Sequence, residues 1–381
     1  MTLFALVAIL SCRPRYDDAL GFSEGLAAVK FGNWMGRKYG FIDTTGKLVV
    51  KPQFDDAGSF SQGRAFVRLG DLKTGSYGYI DRSGKRVIKA RFDDACDFSE
   101  GLAAARLGGG GMGHIDKYVI DKYMVSEYKN VIPVGELFGQ CGYVDTTGRM
   151  VIEPLFAYAG DFSEGLAAVL DLKTLKYGYI DTTGTYVISP RFVGAEDFSE
   201  GLAEVKFGDK ATSKRGYIDV TGEMVIGPQF DDACNFSDGR ALVGLDDGKT
   251  DRKYGYIDRA GKYVVSPQFG MFCAWPFSWA LASVRPGDSD TGRCGYVDTT
   301  GKLIISPQFD VAFSFSDGLA AVKLGGPKIG KWGYIDTTGR LAIEPQFDDA
   351  EAFSGERAKV RAGGNWGYID KTGKYVWESS K

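Results

Sequence analysis

Apolar residues in this chain alternate between two rhythms. Leu26-Ala27-Ala28-Val29 is apolar at every position, the pattern of a strand covered on both faces. Tyr39-Gly40-Phe41-Ile42-Asp43 is rich in residues that suit a pleated strand, and Gly40 marks close approach of a neighbour. From Lys47 to Phe54 the period falls to two, with Leu48, Val50 and Phe54 facing one way and Lys51 and Gln53 the other. The pattern predicts three strands. Asp43-Thr44-Thr45-Gly46 joins the second to the third as a short hairpin. Its glycine takes positive φ, and its aspartate can bond amides two residues on.

The triplet recurs. GFSEGLAAVKFG from Gly21 returns as DFSEGLAAARLG from Asp97, DFSEGLAAVLDL from Asp161 and SFSDGLAAVKLG from Ser314. The glycine of the second strand falls at Gly40, Gly78, Gly142, Gly178, Gly216, Gly255, Gly295, Gly333 and Gly367. A phenylalanine precedes each first strand, from Phe22 and Phe60 to Phe353. Nine units are clear. The step from Gly78 to Gly142 is nearly twice the usual one, and Gly113-His114-Ile115-Asp116 sits where a second block belongs. Residues 107–140 read as a worn tenth unit, or as a long insertion in one loop.

The core G-[YF]-[IV]-D-x-[TS]-G-x, with alanine once at the sixth position, resembles the WG repeat (KWG) family of bacterial proteins from about Arg13 to Trp377. The Trp-Gly pair itself occurs only at Trp332-Gly333 and Trp366-Gly367; elsewhere tyrosine, cysteine or Arg215 precedes the glycine. The resemblance implies a bacterial repeat protein and brings no catalytic residues with it.

A unit this short cannot bury both of its faces alone, so neighbours must stack. Eight of the 12 prolines share the phase of Pro52 on the third strand. Proline donates no ladder hydrogen bond, which predicts an outer edge strand blunted by proline and lysine. The segment Phe54 to Gly63 then crosses to the next unit. The predicted architecture is all-β: residues 13–381 form a propeller-like toroid or arc of about nine to ten three- to four-stranded antiparallel blades. The competing architecture is an open β-superhelix with the same local contacts.

Composition narrows function more than it names it. With 46 basic and 49 acidic side chains, the chain lacks the electrostatic footprint of a nucleic-acid binder. The single histidine, His114, excludes mechanisms needing two imidazoles. Glycine, at 53 residues, reflects the turns of the repeat. Residues 1–12 begin with an apolar run, Leu3 to Leu10, too short to span a bilayer. Followed by Ser11 and Cys12, it looks like an export signal of the lipoprotein type, without a basic start. Lipidation at Cys12 would attach the protein to a membrane and place it in the cell envelope or outside. The alternatives are a cytoplasmic protein and an extra outer strand, because Arg13-Pro14-Arg15-Tyr16 matches Lys51-Pro52-Gln53-Phe54.

Tempting motifs have bland explanations. Equal phase in distant blades separates Cys96, Cys234 and Cys273 from one another, and likewise Cys141 and Cys294, so the cysteines read as small buried hydrophobes. Gly108, Gly110 and Gly113 fit a dinucleotide fingerprint literally, but antiparallel meanders lack the strand and helix that such a site needs. Asp288-x-Asp290-x-Gly292 puts Thr299 where a calcium loop needs glutamate. The doublets such as Asp55-Asp56 read as turn caps, with a ring of cation sites as the alternative. No cofactor, metal or catalytic residue is expected.

The most variable stretches join the first and second strands, for example 31–38, 246–253 and 286–293. Variable loops on a regular scaffold are where repeat proteins bind. The expected function is a noncatalytic module presenting these loops to a protein or polysaccharide, with Trp34, Arg37, Trp275 and Trp279 as contacts. Trp279 replaces the usual acid or glutamine; the pattern places it in the core, and exposed it would be a binding hot spot. The alternatives are a spacer, or a propeller-type glycan-active enzyme using His114, Glu127 and Glu136. The export reading predicts a native protein cleaved before Cys12. Mass spectrometry of its N-terminus checks this, and an intact Met1 defeats it.

Overall fold

The computed structural model describes residues 19–32, 36–71, 74–108, 139–208, 213–246, 248, 252–270, 274–286, 292–326 and 329–378. All regular elements among them are β-strands. In the first unit, Leu26–Phe31 pairs with Lys38–Asp43, which pairs with Leu48–Phe54. Five later units add a two-residue strand beside the first, as Asp56–Ala57 does beside Ala65–Leu69. The predicted three- to four-stranded antiparallel blade is therefore present.

The third strand is an edge over only part of its length. Between the pairs Phe41↔Val50 and Tyr39↔Phe54 it bulges, and Pro52 lies in that bulge. A β-carbon on Gly40 would come within 2.5 Å of the Val50 carbonyl oxygen and 2.9 Å of the Pro52 nitrogen. Glycine lets the bulged strand fold tightly over its neighbour. Beyond Phe54 the chain already pairs with the next blade, through Asp56↔Arg68 and Ala57↔Val67. In one place the join is continuous: Met150–Ala159 links the third and fourth blades into a seven-stranded sheet.

Blades pack face to face. One core cluster combines Leu26, Tyr39, Phe41 and Val50 of the first blade with Phe60, Ala65, Val67 and Ile80 of the second. The next combines Phe66, Tyr77, Tyr79 and Ile88 of the second with Phe98, Ala103 and Val144 of the third. Both faces of each first strand are thus buried, as its unbroken apolar run requires.

Two sets of contacts repeat at every seam. A serine in the turn before the first strand donates its hydroxyl to the carbonyl of the next blade's phenylalanine, from Ser23 to Phe60 through Ser316 to Phe353, at 2.5–2.8 Å. The ninth link runs from Ser354 back to Phe22 at 2.7 Å. An aromatic residue of each second strand packs on that same phenylalanine with centroids 4.8–5.0 Å apart, Phe41 with Phe60 through Tyr368 with Phe22. Seven of these tyrosines also donate their hydroxyls to a carbonyl of the next blade at 2.7–2.8 Å.

The array closes. Tyr368 donates to the Leu20 carbonyl, Lys359 to the Ala19 carbonyl at 3.0 Å, and Arg357 to the Thr44 carbonyl at 3.0 Å. Phe22, Val29 and Ile42 of the first blade share a cluster with Tyr368, Val376 and Trp377 of the last. Among the described residues the fold is a ring of nine blades, and the open superhelix does not describe it. Strand Leu102–Leu107 pairs with Gln140–Asp145, and the seam serine Ser99 reaches Phe162 directly. Residues 109–138 thus connect two paired strands of the third blade, and they lie outside the described residues.

Closure makes the last seam equivalent to the internal ones. Ser354→Ala should lower unfolding stability by about 1 kcal/mol, the same cost as Ser237→Ala. Urea denaturation of both variants checks this, because in an open array Ser354→Ala would be silent.

Candidate functional site

Each first strand runs from one rim of the ring to the other. At its start lies the turn that carries the seam serine; at its end lies the variable loop. Strand pairing such as Leu26↔Asp43 puts the Asp-x-x-Gly hairpins on the same rim as the serine turns, and Phe31↔Lys38 puts the variable loops on the opposite rim.

The repeated hairpin aspartates are committed to structure. Asp43 Oδ1 accepts the Thr45 amide at 2.9 Å, the Thr45 hydroxyl at 2.6 Å and the Lys47 amide at 3.0 Å. Asp81, Asp145, Asp181, Asp219, Asp258, Asp298, Asp336 and Asp370 take the same two amides. The Thr45 hydroxyl, then the two amides, hold the Asp43 carboxyl below its ordinary range. The crossing doublets are used too: Asp55 pairs with Lys38 and accepts the Gly70 amide, Asp56 accepts the Tyr77 hydroxyl, and Asp94 pairs with Arg106 at 2.9 Å with both side chains buried. Among the described residues no three His, Cys, Asp or Glu side chains gather as metal ligands.

One seam replaces an aromatic by charge. Arg215 occupies the position of Tyr39, and its guanidinium meets Glu204 at 2.9 Å and Asp232 at 3.6 Å. Glu204 is buried in the place of Ala28. This is a compensated pair: either charge alone would be strongly destabilising at this depth.

The structure separates the residues proposed as contacts. Trp34 lies outside the described residues, as do His114, Glu127 and Glu136. Arg37 is exposed on the variable rim. On the same rim Ile329 is 84% exposed. Trp275 packs within a seam, edge-on to Phe313 at 5.9 Å. Trp279 is 56% exposed, so it is not core. It lies on the turn rim, opposite the variable loops.

The turn around Trp279 is irregular. In seven other blades its central residues are an acid or glutamine followed by glycine, both at positive φ, as at Glu24 (49°) and Gly25 (75°), and in the last they are Gly355 (58°) and Glu356 (63°). Trp279 and Ala280 both sit at 57°. A left-handed conformation costs an ordinary L residue roughly 1–2 kcal/mol. The usual acid also does a second job, accepting the turn amide of the next blade. Seven such links are present, at 2.8–3.0 Å: Glu24 to Gly63, Gln62 to Gly101, Glu100 to Gly165, Glu164 to Gly201, Glu200 to Gly239, Asp238 to Ala280 and Asp317 to Glu356. An indole cannot accept, so Trp279 breaks the chain and lies over Gly318 instead, whose added β-carbon would touch its ring at 3.8 Å. Gly355, which has no side chain, stands at the equivalent place in the last blade.

A group the sequence reading passed over is Asp97, Asp161 and Asp197, which precede the seam phenylalanine in three successive blades. Burial pushes the Asp161 carboxyl up to about 7, and the neighbouring carboxylates of Asp197 and Asp97 add to this. The shared phase of these residues was visible in the sequence. Their proximity follows from the seam geometry.

The cysteine reading needs correction. Cys141 and Cys234 are free thiols, Cys234 pushed up to about 12 by burial and then by Asp232. Cys96 and Cys294 are disulfide-bonded.

The family model described as "WG containing repeat" matches residues 13–33, 39–72, 77–110, 142–171, 177–210, 216–249, 254–285, 295–326 and 332–366. No curated protein matches the chain. Among solved structures it is similar to the β-propeller domain of the trilobed protease from Pyrococcus furiosus, with 9% identity and a TM-score of 0.41 over 86% of this chain and 98% of that one. It is also similar to the Pyrococcus horikoshii acylaminoacyl peptidase, with 9% identity and a TM-score of 0.39 over 85% and 51%. The tricorn protease aligns at 12% identity and a TM-score of 0.28, over 93% of this chain and 38% of that one. Likeness at this level transfers no chemistry.

The Asp161 environment sets a pH dependence. The folded state holds a proton that the unfolded carboxyl releases near its ordinary value, so this group's contribution to stability falls as pH rises from about 4 to about 7. Asp161→Asn should raise the melting temperature by about 2–4 °C at pH 8 and flatten the fall between pH 5 and 8. Calorimetry across that range checks it.

Proposed function

Because the chain belongs to the family of proteins built from WG-containing repeats, we propose that it is a noncatalytic binding module. It presents the loops between the first and second strands to a protein or polysaccharide partner. The observation that carries this reading is how the repeat distributes its side chains. Hairpin aspartates, seam serines and seam tyrosines are all consumed in holding the ring. The variable loops are tied at their ends, as Asp55 ties Lys38 and Gly70, and between those ends they differ in length and composition and expose Arg37 and Ile329. A rigid scaffold with one varied rim is the arrangement by which repeat proteins recognise partners.

We place the protein in the cell envelope or outside the cell. The apolar start ahead of Cys12 motivates this. Disulfide bonding at Cys96 and Cys294 supports it, since such bonds persist in oxidising compartments.

Replacing residues 32–37 and 287–292, which spare Phe31, Lys38 and Arg293, with Gly-Ser segments of equal length should leave melting unchanged and abolish capture of partners from an envelope extract or a glycan array. Capture that survives replacement of the loops on every blade removes the variable rim from the mechanism.

A further inference from the structure

We infer that Trp279 is a stacking platform for a sugar ring, on the rim opposite the variable loops. The inference does not rest on the variable-loop reading. It starts from a local loss. At Trp279-Ala280 the repeat gives up glycine where the backbone is left-handed, and gives up the acceptor that would bind the next turn's amide. Burial does not compensate, because the side chain is 56% exposed. The last blade has Gly355 and Glu356 at these positions, so Trp279 is the one large aromatic among the described turns, and a strained, exposed aromatic there points to use outside the fold.

The surroundings select the ligand class. The indole lies over Gly318, where a β-carbon would meet its ring at 3.8 Å. The flanking turn carboxylates, Asp238 and Asp317, each take a backbone amide through Oδ2. Asp238, bonded to the amide of Ala280 itself, supplies an acceptor for hydroxyl groups at the Trp279 turn. In two other blades an arginine of the following hairpin covers the turn glycine: Arg82 Nη2 lies 3.7 Å from the β-carbon position of Gly25, and Arg259 Nη2 lies 3.5 Å from that of Gly201. The equivalent residue beside Ala280 is Thr337, a smaller and neutral hydroxyl.

A pyranose has one apolar C–H face and an edge of hydroxyls. That matches a lone flat indole ringed by carboxylate and hydroxyl groups.

The test is affinity gel electrophoresis of the full chain in gels containing soluble neutral polymers of glucose, xylose, mannose, galactose or N-acetylglucosamine. At least one polymer should retard the wild type and Trp279→Tyr. Trp279→Glu restores the acceptor for Gly318, so it should melt no lower than wild type yet bind that polymer at least tenfold more weakly. The inference is overturned if no polymer retards the wild type, or if Trp279→Glu is retarded as strongly. Trp279-dependent capture of a Lys/Arg-rich peptide, with no retardation by any polymer, also overturns it by assigning the rim to a protein. A loop-replaced protein should keep its retardation, so this inference and the variable-loop reading fail separately.

Discussion

Everything in this ring depends on a seam in which one phenylalanine does two things at once. Its ring packs on an aromatic residue of the preceding blade, while its carbonyl accepts a serine hydroxyl from that same blade. Dispersion and area burial hold the faces together, and the hydrogen bond fixes their offset. Each polar group that the apolar packing would strand is satisfied within the seam, including the hydroxyls of buried tyrosines such as Tyr79 and Tyr143. A blade apolar on both faces has no stable existence without two neighbours. Repeating one seam until the last blade meets the first removes any unpartnered face.

Such redundancy tolerates local exceptions. Phe41 lacks the hydroxyl its counterparts use, yet keeps the ring contact with Phe60. Arg215 and Glu204 exchange an aromatic and a small residue for a buried ion pair without opening the seam. Trp279 and Ala280 are different in kind, because they change a surface turn and gain no packing that accounts for it.

The two rims divide the labour. One is built from short turns bound to each other, seven through a carboxylate or amide side chain that reaches the next turn. The other is built from loops whose ends are tied across the seams by crossing aspartates, Asp55 holding Lys38 and Gly70 and Asp231 holding Lys214 and Asp246, while the sequence between those ends varies. A scaffold of this kind separates stability from recognition: change between the tied ends leaves the seam contacts intact.

The strands, the hairpins and the duty of their aspartates could be read from the sequence, because each rests on contacts within a few residues: period, turn chemistry and amide capping at Asp43 and its copies. The bend of the third strand at Pro52 was half legible, since proline excludes a ladder donor at both an edge and a bulge. Ring closure was not legible, because the rotation per blade is the sum of many packing contacts and no single residue encodes it. The exposure of Trp279 and the grouping of Asp161 with Asp97 and Asp197 are likewise relations between distant parts of the chain. The sequence by itself determined the repeating unit; the tertiary structure alone decided how many units meet, which rim each exception faces and which charges share a seam, since these depend on where the two ends of the chain come together.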